Sequence, residues 1–345
     1  MKRIMNNAVS LLVVVVVLFL VIPLPTFMLD ILIVVNISLS IMILMITMNI
    51  SEALDFSIFP SLLLITTLFR LGLNVSSTRK ILSQGGDAGV VIRSFGQLIT
   101  QGNIVIGVLI FLIIVLVQFI VITKGAERVA EVAARFTLDA MPGKQMAIDA
   151  DLNSGMIDEK QARARREKIQ KEADFYGAMD GATKIVKGDA VMSLIITAIN
   201  FVAGIIIGVV QGGGDLASVM SIYSIATIGD GLVSQLPALM ISTATGMIVT
   251  RSVSDGSLNE DVVHQFKAQP RAILSTGIIL VVLGLIPGSP TVPLVFVGTA
   301  LCVGGYIGSQ RMSQEAAVAQ QEAAETAAPV PEIQAVSEAD YYKDI

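Results

Sequence analysis

ERVAEVAARFTLDAMPGKQMAIDAD, residues Glu127 to Asp151, lies in the one long charged segment of an otherwise apolar chain. Arg128, Glu131, Arg135 and Asp139 recur at i, i+3, i+7 and i+11. On a helix that spacing makes one stripe of alternating sign. Met141-Pro142-Gly143 predicts the end of the helix, because proline disfavours helical geometry in the residue before it and glycine frees the turn. Lys144 and the acidic pair Asp149 and Asp151 follow. On spacing alone the stripe is a solvated face laced with salt bridges. Asp149-x-Asp151-x-Asn153 resembles the start of a calcium loop. Its glycine, however, is seventh rather than sixth, and Lys160 takes the twelfth position, so no calcium site is expected.

Outward from that segment the composition is that of an integral membrane protein. Of 345 residues, 54% are hydrophobic and 15% charged, and the mean hydropathy is +0.77. The net charge of −5 says little, because the charges are concentrated in a few loops. No basic patch with interleaved aromatics points to nucleic acid as a partner. A single Cys302 and a single His264 exclude a disulfide framework and a Cys- or His-cluster metal site, so neither metal nor cofactor is expected. No G-x-x-x-x-G-K-[ST] is present, so energy from ATP has to come through a partner and the chain is not expected to be an enzyme. Lys2-Arg3 precedes an apolar run without a small-residue cleavage site, which reads as an uncleaved first span.

Eight stretches read as spans: 9–24, 27–48, 58–75, 104–123, 191–210, 232–250, 273–286 and 292–307. The fold class is therefore all-α, a polytopic membrane protein with about eight transmembrane helices and a helical cytoplasmic loop domain. Four spans fall in 1–123, the loop domain in 124–190, four more in 191–309, and an extended Ala/Glu/Gln/Pro-rich linker in 310–345. The loop holds 12 Lys/Arg and 12 Asp/Glu between Lys124 and Asp189, and the positive-inside rule places it in the cytoplasm. Within it Ile157–Asp174 predicts a helix with Glu159–Arg163 and Glu167–Lys171 pairs. Ser76–Asn103 reads as a polar, Gly-rich connection. Its Arg79, Lys80 and Arg93 then lie outside against the bias, unless Ile58–Val75 is re-entrant.

Polar residues inside the spans are informative. Asn36 and Ser40 stand at i, i+4 and should face other helices. Arg70 and Asn74 repeat the spacing, with Arg70 either facing the protein interior or snorkelling to the interface. Leu216–Ile228 is too short to cross and leads into Gly229-Asp230-Gly231, which reads as a turn or as an intramembrane site.

RVAEVAARFTLDAMPGKQMAIDAD and, further on, EADFYGAMDGATKIVKGDA at Glu172–Ala190 resemble the signature of the FHIPEP family, the large membrane component of flagellar and virulence type III protein export gates. The Glu172-Ala-Asp-Phe175 start leans towards the flagellar branch. The resemblance implies a multi-pass protein of the bacterial inner membrane, assembled as a ring of identical subunits, usually nine. It implies coupling of the proton or sodium motive force to export of unfolded proteins. It also implies work beside other export-gate membrane proteins and a cytoplasmic export ATPase complex. Chaperones and exported proteins would dock on a large C-terminal domain that this sequence does not include. The family's ion-coupling positions fall on Arg128, Arg135, Asp139, Asp180, Lys184, Asp189 and Asp230. The residues allow plainer roles too. Asp189 fits an N-cap for a helix over 191–210, and Asp180–Lys184 fits a surface pair. A ring scaffold without ion conduction would need nothing more. A small-solute secondary transporter would show inverted repeats with paired broken helices, and the sequence carries none.

Overall fold

The computed structural model describes residues 8–120, 125, 127–212, 215–251, 258–286 and 289–326. Among the described residues the secondary structure is helical, without strands. The chain divides into two compact units, Met1–Leu258 and Asn259–Ile345. The first runs through α1 (Ala8–Val21), α2 (Thr26–Asn49), a 3₁₀ turn (Ala53–Phe56), α3 (Phe59–Ser83), α4 (Val90–Thr100), α5 (Ile104–Ile120), α6 (Glu127–Asn153), α7 (Glu159–Gly212) and α8 (Leu216–Val249). Then come α9 (Leu258–Lys267), α10 (Pro270–Gly284) and α11 (Thr291–Thr326). Pro60 and Pro270 open their helices, where a missing N–H costs nothing.

The first unit is built around α8, against which α2, α3, α4, α5 and α7 pack. Glycine makes this possible. A Cβ on Gly229 would stand 2.8 Å from the Ile92 carbonyl carbon and 3.0 Å from the Gly96 nitrogen, so α4 and α8 cross backbone to backbone. A Cβ on Gly231 would stand 2.7 Å from the Phe111 ring of α5. Gly229-Asp230-Gly231 is therefore not a turn. It lies inside one continuous helix, and its glycines serve close approach rather than a change of direction.

Other expectations change for similar reasons. Pro142 does not stop α6, which continues to Asn153. Proline deprives the Leu138 carbonyl of its helical donor, but Leu138 and Pro142 face outward, where water can satisfy it. Ala130, Ala134 and Ile148 meanwhile bury the opposite face. Ser76–Asn103 is not a loop: α3 extends to Ser83 and α4 follows. Ser76 donates its hydroxyl to the Phe19 carbonyl, 2.9 Å, and Arg79 donates to the Leu20 and Val21 carbonyls, 2.8 and 2.9 Å. Polar side chains thus close the exposed end of α1, as basic residues do at helix C-termini. Residues 59–75 are a continuous part of α3, and the sharp bend between apolar helices among the described residues is instead the 100° angle between α4 and α5.

The largest correction concerns α7. It is one helix of 54 residues that carries the charged segment and the apolar run together, so the boundary expected at 190/191 falls inside it. Towards its start it pairs with α6 through Asp149–Arg166, Asp151–Arg165 and Lys144–Glu172. Lys168 reaches Glu52 before the 3₁₀ turn at 2.8 Å. Glu167–Lys171 forms as expected. A Glu159–Arg163 pair does not form among the described residues. Further along α7, Phe175, Tyr176, Met179, Ala182 and Val186 fill a core with Phe59, Leu63, Ile241 and Ile248.

Among the described residues each expected apolar stretch is largely helical, and 121–123 of the fourth lies outside them. Among them five helices (α2, α3, α7, α8 and α11) are long and apolar enough to cross a membrane, and α4 with α5 makes a sixth if taken together. α10 has 15 residues, short of the roughly 20 a bilayer asks for, and α1 is described from Ala8. In the second unit α10 and α11 form a close hairpin. Cβ atoms on Gly277 and Gly305 would stand 2.7 Å from the Cys302 nitrogen and 2.6 Å from the Leu274 nitrogen. α11 runs on to Thr326, so 310–326 is helical rather than an extended linker, and 327–345 lies outside the described residues.

Candidate functional site

Arg70, Asn74 and Ser77 lie on α3 at i, i+4 and i+7, one stripe on one helix face. All three are buried, and the stripe turns inward to α7 and α8 rather than to the surface. Arg70 forms an ion pair with Asp189 of α7, with the two side chains 3% and 1% exposed. Arg70 therefore does not snorkel. Asp189 is not an N-cap either: it sits deep inside α7, where no free helix N–H groups remain to be capped.

A second carboxylate lies beside the same stripe. Asp230 of α8 is 4% exposed. It accepts a hydrogen bond from Asn200 Nδ2 of α7 at 2.9 Å, and the Ser77 hydroxyl is within hydrogen-bonding reach. One turn on, the Ser234 hydroxyl lies 2.6 Å from Asn74 Oδ1 and 2.8 Å from the Asp230 carbonyl. Among the described residues Asp230 has no ion-pair partner. Asn74 Nδ2 and Asn200 Oδ1 are buried without hydrogen-bond partners. Gln118, the only polar side chain of α5, donates to the Gln235 carbonyl of α8 at 2.6 Å.

The expected site residues therefore separate into two groups. Asp189, Asp230, Arg70 and Asn74 converge inside the helix bundle. Asn36 is also buried, on α2, where its main-chain carbonyl accepts from Ser40 at 2.9 Å, but among the described residues no bond joins it to this cluster. The other five lie on the hairpin. Arg128 pairs with Glu131 at 3.1 Å. Arg135 and Asp139 are 3.9 Å apart and 82% and 71% exposed. Asp180 bonds Lys184 at 2.7 Å and so holds that ammonium above its ordinary value.

Sequence reasoning passed over Ser77, Gln118, Ser234 and Gln235 as site residues, and took Asn200 as an interruption. A signal was there for three of them. Ser77 extends the Arg70–Asn74 stripe, Ser234 lies four residues after Asp230, and Gln118 is a lone amide in a charge-free span. Burying an amide among apolar residues is costly unless it is bonded.

Residues 16–343 match the FHIPEP family. The chain is 58% identical over 239 residues to the flagellar biosynthesis protein FlhA of Bacillus subtilis, covering 69% of this chain and 35% of that protein. It is 52% identical over 272 residues to the low calcium response locus protein D of Yersinia pestis, covering 78% and 38%. It is 48% identical over 279 residues to the flagellar biosynthesis protein FlhA of Salmonella typhimurium, covering 80% and 40%. The chain thus spans less than half the length of these relatives. No solved structure matches it.

Proposed function

The chain belongs to the FHIPEP family, and from that premise we propose that it is a membrane component of a flagellar type III protein export gate that couples an ion gradient to export. The observation that carries the coupling is a charge count. Arg70, Asp189 and Asp230 are one cation and two acids buried among apolar helices. Uncompensated charge inside a membrane protein is expensive. The set becomes neutral by holding one proton or one monovalent cation, and a site that gains and loses a single positive charge is what a gradient can drive. Asn200, Ser77 and Ser234 orient the groups around it.

The hairpin of α6 and α7 is cytoplasmic in this reading, with its balanced but dense charge facing solvent. The Lys168–Glu52 contact sets the turn between α2 and α3 on the same side as the hairpin. α3 crosses away from that side, α4 does not cross, and α5 returns. Identical subunits in a ring, other gate proteins, an export ATPase complex and exported chains are the partners. The resemblance to the Yersinia protein keeps virulence secretion as the second setting for the same machinery.

Proton entry into vesicles containing the chain, driven by an imposed pH gradient, tests the coupling. Asp230→Asn keeps an acceptor for Asn200 and cannot titrate. It should leave the amount of inserted protein unchanged and abolish the flux. Flux equal to the parent's with both Asp230→Asn and Asp189→Asn would leave a ring scaffold as the better account.

A further inference from the structure

Beside the Arg70–Asp189 pair, four helices leave a small chamber. Arg70 of α3, Gln118 of α5, Ser193 of α7, and Ser234 and Gln235 of α8 supply the polar part of a wall whose remainder, Val115, Phe119, Ala190, Leu194 and Ala238, is apolar. Its volume is about 20 Å³, above the roughly 10–15 Å³ that one water requires. Water in such a place also needs two to four polar partners. The buried Gln235 Oε1 has no hydrogen-bond partner and accepts, while the Arg70 guanidinium has five N–H groups to donate.

We propose that this chamber holds water and is the hydrated port through which the buried acids exchange protons, with Gln118 as the residue that positions its wall. The proposal rests on the ion-coupling reading above and adds to it a route. Arg70, the partner of Asp189, and Ala190, its chain neighbour, both line the chamber, so Asp189 lies directly behind its wall. Ser234 also lines it and bonds Asn74 and the Asp230 main-chain carbonyl, one turn along the helix that carries the second acid. A hydronium that passes its proton to an Asp189 carboxylate oxygen leaves water and a neutral acid. Return of that proton to water restores the ion pair with Arg70.

Gln118 holds the port by a bond between helices. Its amide donates to the Gln235 carbonyl of α8, a bond distinct from the gap that Pro237 leaves one turn before it at the Val233 carbonyl. It also puts an amide rather than a hydrocarbon at the edge of the chamber.

Thiol exchange tests the port without requiring flux. Ser193→Cys lines the chamber, whereas Ile199→Cys lies on the outward face of the same helix, 48% exposed at the parent residue. Both are made with Cys302→Ala, which removes the sole native thiol. A one-water chamber admits D2O but no bulky reagent, so the label is deuterium: the infrared S–H band of Ser193→Cys should exchange in D2O at least about tenfold faster than that of Ile199→Cys. Adding Gln118→Leu should slow it by a similar factor, and Gln118→Asn, which keeps the amide, should preserve it. Equal rates at positions 193 and 199, or no effect of Gln118→Leu, overturn the port. If Gln118→Leu does not insert, the comparison of the two positions decides alone. Fast exchange at 193 with no proton flux in the parent sinks the ion-coupling reading and leaves a water-filled cleft.

Discussion

Arg70 and Asp189 should cost more to lose singly than together. Removing one partner of a buried pair costs about 3–5 kcal/mol, whereas replacing both with apolar residues is close to neutral. Arg70→Leu alone should therefore melt well below the parent in detergent, and Arg70→Leu with Asp189→Leu should recover most of the loss while remaining inactive in export. A double variant no more stable than the single one would mean that the pair does not act as a unit. Half of this pair was legible. Arg70 and Asn74 at i, i+4 in an apolar run announce a buried polar face. The partner was not, because Asp189 follows a charged stretch and precedes an apolar one, the pattern of a helix start. Only the continuity of α7 removes that reading. Arg128, Glu131, Arg135 and Asp139 stand exposed on this chain, Arg128 paired with Glu131 and Arg135 3.9 Å from Asp139.

At the scale of the element, proline and glycine were the misleading letters. They mark turns in solvent, but Pro142 and Pro237 lie within helices, and so do the glycines on either side of Asp230. Neighbouring helices decide the outcome, and a single sequence does not display its neighbours. Two glycines separate the roles. Gly229 lies against α4, and Gly229→Ala should destabilise by roughly 1–3 kcal/mol, as overpacking does. Gly177 on α7 has nothing within 4 Å of an added Cβ, and Gly177→Ala should stabilise by about 0.5–1 kcal/mol through helix propensity. Thermal melts of the two variants check this. Equal effects would show that α4 and α8 do not meet as closely as described. The helical character of α4 was missed altogether, because Gly85, Gly86 and Gly89 surround Asp87 and give the whole region the look of a loop.

For the whole molecule, composition alone identified a membrane protein, while the number of crossings depends on how bent and short helices are counted. Sidedness is open to direct test. Ser154→Cys with Cys302→Ala, at the tip of the hairpin, should resist an impermeant thiol reagent applied to intact cells and react once the membrane is opened. Labelling from outside would reverse the orientation. The feature that crosses every scale is α7. At 1.5 Å per residue its 54 residues measure about 81 Å. Ala162, Met179 and Asn200 are each fully enclosed along it, so the rod is held near its charged tip, at its middle and beyond Asp189. One unbroken helix joins the solvent-facing hairpin to the Arg70–Asp189 pair, and a displacement imposed on the hairpin meets no loop that could absorb it before it reaches the buried acid.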